Sequence, residues 1–181
     1  RKVVAADAHV RGAAWERAKF VGTQLAGRTI GVIGLGRVGR TVAARTLAMG
    51  MRVLGFDPFY SGQTALDGKV RMVEQLHDLL VESDAVTLHT PKTPDTAGLI
   101  GAEELRIMKR SALLVNCARG GLIDEDALCE ALTSGQIAGA ALDVYVTEPP
   151  AGSPLLELPN VVLTPHLGAS TAEAQTAVSV D

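Results

Sequence analysis

The chain has 181 residues, which suits one domain and hardly two, and its 47% hydrophobic and 20% charged content excludes intrinsic disorder. Aromatics make up only 3%, so the core must be packed from Ala, Val, Leu and Ile, a bias that suits buried parallel strands. A formal charge of −3 with no basic stripe argues against a nucleic-acid partner, and the lack of a long apolar run argues against a membrane one.

Cys117 and Cys129 form no CxxC pair and imply no disulfide framework. With no signal-peptide pattern, the expectation is a cytoplasmic protein. The histidines are scattered without metal-ligand spacing, so no metal is expected.

Residues 1–20 are Ala-rich and helix-compatible, broken off by Gly22 and Gly27. Thr29–Ile33 is a short β-rich run, followed by glycines and a helical stretch over Arg37–Met49 that Gly50 closes. Arg52–Phe56 reads as a second strand, ended by Asp57-Pro58. The spacing of Val73, Leu76, Leu79 and Leu80 predicts a helix over Met72–Val81. Ala85–His89 is a third strand, stopped by Pro91, and a short helix over Ala102–Met108 leads to a strand at Leu113–Asn116. Asp124 caps a helix through Thr133, ended by Gly135. Strands at Ile137–Leu142 and Val161–Leu163 flank a Pro-rich loop, and Ser170 with Glu173 resembles a capping box opening a last helix. Strand and helix alternate with short links, which predicts an α/β doubly wound parallel sheet of Rossmann type, layered α/β/α. The expected organisation is a linker helix and dimerisation arm over 1–27 and a nucleotide-binding domain over 28–181, with both ends looking cut from a longer polypeptide.

Gly34-Leu35-Gly36-Arg37-Val38-Gly39 follows a strand and opens a helix, the context a dinucleotide fingerprint requires. Gly34 permits the tight turn, Gly36 lets the backbone approach a pyrophosphate, and Gly39 allows close helix–strand packing. The helix N-terminus offers N–H groups and partial positive charge to the phosphates, and Arg37 can add a charge-assisted contact. Asp57 ends the next strand, where an acid accepts hydrogen bonds from the adenosine ribose and repels a 2′-phosphate; no basic residue follows in Pro58-Phe59-Tyr60-Ser61. NAD is therefore expected rather than NADP.

Three residues suit hydride chemistry on a 2-hydroxy acid. His166 lies just past a strand end, where open α/β sheets bind ligands, and an imidazole shuttles protons near neutrality. Glu148, in Thr147-Glu148-Pro149-Pro150, would favour the protonated imidazole and fix its tautomer. Arg119 supplies the planar fork that matches a carboxylate. Taken singly, each has a plainer reading: a satisfied structural histidine, a solvated surface glutamate, an arginine on a neighbouring carbonyl. Their joint placement at strand ends beyond a dinucleotide fingerprint is what points to catalysis. Asp143 also ends a strand and could bond the nicotinamide carboxamide or carry structural hydrogen bonds. His9, His77 and His89 read as structural or solvent-facing. Cys117 reads as a small residue near the cofactor rather than a nucleophile.

These segments, with Trp15-Glu16-Arg17-Ala18-Lys19-Phe20, His89-Thr90-Pro91, Asn116-Cys117-Ala118-Arg119-Gly120-Gly121, Ala140-Ala141-Leu142-Asp143-Val144 and Pro165-His166-Leu167-Gly168-Ala169-Ser170, make the chain resemble the cofactor domain of the D-isomer-specific 2-hydroxyacid dehydrogenases over essentially its whole length. The Asn-Cys-Ala-Arg-Gly-Gly and His-Leu-Gly-Ala-Ser forms lean toward the branch acting on 3-phosphoglycerate. The resemblance implies Arg119, Glu148 and His166 as catalytic residues. It implies Arg37, Val38, Asp57, Thr90, Cys117, Ala118, Arg119, Asp143, His166, Gly168 and Ala169 around NAD, beside the fingerprint glycines. It implies NAD-dependent oxidation of 3-phosphoglycerate at the head of serine synthesis. It further implies a homodimer or homotetramer built through the cofactor domain, with an arm near Trp15 crossing to the partner. A Trp in such an arm suits an interface anchor. The family's substrate domain has no counterpart here, so the fragment alone is expected to be poorly active. That absence leaves two other readings open: a sister enzyme acting on glyoxylate, hydroxypyruvate or D-lactate, and a non-enzymatic NAD-sensing module like related corepressors.

Overall fold

The computed structural model describes residues 2–60, 62 and 64–178. The strands are β1 (Thr29–Ile33), β2 (Arg52–Phe56), β3 (Thr64–Ala65), β4 (Val70–Met72), β5 (Ala85–Leu88), β6 (Leu113–Asn116), β7 (Gly139–Leu142) and β8 (Val161–Leu163). They form one sheet in the order β3-β4-β2-β1-β5-β6-β7-β8. Every pairing is parallel except the edge pair β3–β4. The α-helices are α1 (Val3–Arg11), α2 (Arg37–Ala48), α3 (Leu76–Glu82), α4 (Ala102–Ile107), α5 (Glu125–Thr133) and α6 (Ala172–Val178).

The sheet is buried on both faces, and alternation along each strand divides the core. Ile30 and Val32 of β1 join Leu35, Ala43 and Val53 on the face covered by α2. Ile33, Leu54, Val86 and Leu88 point the other way, into a larger cluster with Leu79, Leu80, Leu105, Leu128 and Leu132 from α3, α4 and α5. Period-2 side-chain alternation explains how adjacent residues of one strand supply two cores. Asp84, just before β5, ties the bottom of the sheet: its carboxylate accepts from the Thr29 backbone N–H at 2.8 Å and from Lys109 Nζ at 2.9 Å. Burial pushes the Asp84 carboxyl up, but the Thr29 N–H and the Lys109 ammonium outweigh it and hold the carboxyl below its usual range.

The expected strands at 29–33, 52–56, 113–116 and 161–163 have those bounds, and α5 is capped as read: the Asp124 carboxylate accepts from the N–H groups of Asp126 and Ala127. The strand expected over Ile137–Leu142 begins only at Gly139, and three further readings need correction. The helix expected over Met72–Val81 begins at Leu76, because Val70–Met72 instead pairs with β2 as a strand. A period starting at Met72 fits both elements, since Val70 and Met72 also alternate. The helix-compatible 1–20 stretch holds α1 and a separate 3₁₀ turn at Arg17–Phe20, parted near Ala13, whose φ of 59° no helix continues. At α6 it is Thr171, not Ser170, whose hydroxyl accepts a first-turn N–H, that of Ala174 at 3.1 Å.

Candidate active site

β2 and β5 lie on opposite sides of β1, so the chain reverses its direction of sheet growth there and opens a crevice at the carboxyl ends of β1 and β5. The loops that leave the parallel strands at this end carry the expected site residues. Gly34 to Gly36 follow β1, Asp57 follows β2, and His89-Thr90 follow β5. Cys117 to Arg119 follow β6, Asp143 follows β7, and His166 follows β8.

The glycine turn is built for close approach. A Cβ at Gly39 would lie 1.9 Å from the Gly34 carbonyl oxygen, so only glycine lets α2 sit this near β1. A Cβ at Gly36 would meet nothing within 4 Å, so the space above it is open to a ligand. Val38, in the first turn of α2, is 63% exposed, an apolar side chain facing out beside that space. Asp57 accepts from the backbone N–H of Leu35 at 2.8 Å and of Phe59 at 3.0 Å, bracing the glycine turn against the end of β2. Each of its oxygens retains a lone pair for a ribose hydroxyl. The nearby Arg40 cation donates to the Leu35 carbonyl at 2.9 Å and lies 5.5 Å from the Tyr60 ring centroid. A pocket beyond β2 is bordered by Asp57, Pro58, Tyr60 and Val73. Beside Gly34, the Thr90 hydroxyl is, among the described residues, the one buried side-chain polar atom without a hydrogen-bond partner. Buried hydroxyls are nearly always bonded, so a polar ligand here is expected. Open glycine backbone, a helix N-terminus, an acid at the ribose position and an orphaned hydroxyl together fit NAD.

At the other end of the crevice, His166 Nδ1 lies 2.8 Å from Glu148 Oε2 although the two are far apart in sequence. The side chains are half exposed, at 50% and 39%. The hydrogen bond from His166, joined by the Tyr145 N–H on the other carboxylate oxygen at 3.1 Å, pulls the Glu148 carboxyl below its usual range. His166 has a φ of 55°, the left-handed region that a non-glycine residue adopts at a cost of roughly 1 kcal/mol. Asp143 sustains it: its buried carboxylate accepts from Thr164 Oγ1 at 2.5 Å, Leu167 N at 2.7 Å and Gly168 N at 2.8 Å, gripping the His166 turn on both sides. Burial pushes the Asp143 carboxyl up, but these three bonds and the neighbouring His166 hold it below its usual range. Of the two roles open for Asp143, the structural one is therefore visible.

Arg119 is exposed and donates to the Ala118 carbonyl at 2.6 Å; its loop is pinned by Asn116, which accepts from Ala118 N and donates to the Arg119 carbonyl. Its guanidinium rests on its own loop, and among the described residues it makes no ion pair with Glu148. The structure thus joins Glu148 to His166 and brings the Arg119 loop to the same sheet end without a bond between them. Cys117 is exposed, and burial of its sulfur, then the Asp143 charge, pushes its thiol up, which opposes a nucleophilic role. His89 bonds Thr87 Oγ1 at 3.1 Å, and burial pushes its imidazole below its usual range, as suits a structural histidine. Sequence reasoning passed over Thr164 and Tyr145, whose hydroxyls brace this end. A threonine or tyrosine beside a strand-end acid is the signal that could have found them.

A doubly wound sheet whose switch-point crevice holds a glycine fingerprint and a carboxylate–imidazole pair fits the nucleotide domain of the NAD-dependent oxidoreductases. The family model for the D-isomer specific 2-hydroxyacid dehydrogenase, NAD binding domain, matches residues 1–168, and the chain belongs to that family. It is 52% identical over 176 residues to the D-3-phosphoglycerate dehydrogenase of Archaeoglobus fulgidus, covering 97% of this chain and 33% of the relative. To the enzyme of the same name from Methanocaldococcus jannaschii it is 49% identical over 177 residues, covering 98% of this chain and 34% of the relative. The crystal structure of a glyoxylate reductase from Paecilomyes thermophila superposes with a TM-score of 0.91 at 36% identity, covering 99% of this chain and 54% of that one. The chain spans about a third of the length of these curated relatives. Among the described residues no helix is long and apolar enough to cross a membrane.

Proposed function

We propose that this chain is the cofactor domain of a cytoplasmic enzyme that oxidises D-3-phosphoglycerate to 3-phosphohydroxypyruvate, the opening reaction of serine synthesis. The observation that carries the chemistry is the 2.8 Å contact between Glu148 and His166 at the carboxyl end of the sheet. Glu148 occupies Nδ1, which leaves Nε2 as the ring atom free to face substrate. His166 Nε2 takes the proton of the C2 hydroxyl, and Glu148 stabilises the imidazolium that results. Arg119 leaves the Ala118 carbonyl to clasp the substrate carboxylate, two parallel N–H donors meeting two oxygens. NAD, held at the glycine turn and Asp57, would supply the acceptor for the hydride of C2. Substrate choice rests on about 50% identity to phosphoglycerate dehydrogenases along the whole chain. The likeness to a glyoxylate reductase supports a second reading, a sister enzyme for small unphosphorylated 2-keto acids. A homodimer is supported by α1, which buries no residue, and by Val3, Val4, Val10 and Trp15, all more than half exposed.

The test uses the full-length protein. His166→Ala is expected to lower kcat for NADH-dependent reduction of 3-phosphohydroxypyruvate at least about 100-fold, the scale of a lost acid–base group, with NAD affinity retained. Normal turnover in that variant refutes the assignment. Preference for glyoxylate or pyruvate over the phosphorylated acid favours the sister enzyme.

A further inference from the structure

The peptide joining Tyr145 to Val146 is held from several sides. Its N–H, that of Val146, donates to Glu125 Oε1 at 2.7 Å. Its carbonyl presses on Gly120, where a Cβ would lie 1.7 Å from the Tyr145 oxygen, so the loop bearing Arg119 packs directly on this peptide. The preceding N–H, that of Tyr145, donates to Glu148 Oε1 at 3.1 Å. The Tyr145 hydroxyl, on a side chain only 7% exposed, lies 2.9 Å from the Thr164 carbonyl and 3.2 Å from that of Leu142, bridging the ends of β8 and β7. Tyr145 and the peptide that follows it therefore together meet the Arg119 loop, the Glu148 carboxylate and the strand end that leads to His166.

Glu125 is the first residue of α5, yet its side chain serves another loop; the cap of that helix is Asp124. We infer that Glu125 is a positioning residue for the reaction: by anchoring the Val146 N–H it fixes the turn that aims Glu148 at His166 and keeps that pair in register with Arg119. The inference rests on the reading of Glu148 and His166 as the reacting pair. The competing explanation is that an acidic residue in a first helical turn merely complements the helix dipole.

Two substitutions in the full-length protein separate these. Glu125→Gln discards the charge but keeps an oxygen at the same reach, whereas Glu125→Asp keeps the charge but withdraws the acceptor by one methylene. Glu125→Asp is expected to lower kcat roughly 10-fold, since small misplacements of reacting groups are costly. Its NAD affinity and KM stay within about twofold, and the alkaline limb of the pH profile for keto-acid reduction moves to lower pH, because the imidazolium is less well held. Glu125→Gln is expected to track wild type within about twofold in all of these. The opposite ordering, or wild-type kcat and pH limb in Glu125→Asp, overturns the inference. His166→Ala is run alongside: if it turns over normally, the reading of the site has failed. If it is inactive while Glu125→Asp behaves as wild type, only the role of Glu125 has failed.

Discussion

Alanine at Gly36 and at Gly39 should have opposite consequences, although only Arg37 and Val38 separate them. At Gly39 the new methyl would meet the Gly34 carbonyl oxygen at 1.9 Å, about 1.5 Å inside ordinary contact of roughly 3.4 Å. The obstacle is backbone, so α2 must retreat from β1 or the Gly34 turn must open. Overpacking of this kind costs about 1–3 kcal/mol and sits at the upper end when no side chain can yield. At roughly 2–4 °C per kcal/mol for a domain of this size, Gly39→Ala should melt about 6–12 °C below wild type. Gly36 has a φ of −66° and open space at its Cβ, so alanine there is conformationally ordinary. Lost N-cap preference and reduced unfolded-state entropy roughly offset each other, and the melting temperature should stay within about 2 °C. Yet the methyl of Gly36→Ala stands where the pyrophosphate must approach, and NAD affinity should fall at least about 10-fold. Calorimetry of each variant with and without NAD, together with NAD titration, reads both quantities. Wild-type melting in Gly39→Ala, or wild-type NAD affinity in Gly36→Ala, would refute the packing argument.

Asp57→Ala should weaken NAD at least about 10-fold and narrow its preference over NADP, because the acid both braces Leu35 and repels a 2′-phosphate; an unchanged ratio of the two dissociation constants counts against the ribose contact. Asp84, whose carboxyl is held below its usual range, contributes stability that is complete above the ordinary carboxylate pKa of about 4 and lost as pH falls through its own lower value. Asp84→Asn should therefore be less stable at pH 7 by about 1.5–3 kcal/mol, the worth of a charge-assisted hydrogen bond. Urea titrations at falling pH should show that gap closing below about pH 4, and parallel curves across the range would exclude the linkage.

The central strands were legible because each is a run of apolar residues between strong punctuation: Thr29–Ile33 before Gly34, Arg52–Phe56 before Asp57-Pro58. The edge was not. β3 has two residues and β4 three, too few for a period to declare itself, and Met72 was absorbed into the helical pattern that follows. In the site, residues with distinctive chemistry stood out: the glycine fingerprint, Asp57, and the Glu148–His166 pair. What stayed hidden was the bracing around them. Gly120 against the Tyr145 carbonyl and Glu125 on the Val146 N–H are contacts between loops remote in sequence, and no local spacing encodes them.

The left-handed backbone at His166 sets two demands on one position against each other. Glycine relaxes that conformation without steric cost, and asparagine tolerates it better than most side chains. A search for sturdier versions of this domain, blind to turnover, would thus be drawn to discard the imidazole. If His166 reacts as proposed, only selection that reads catalysis keeps a histidine where the chain itself is indifferent or opposed to one.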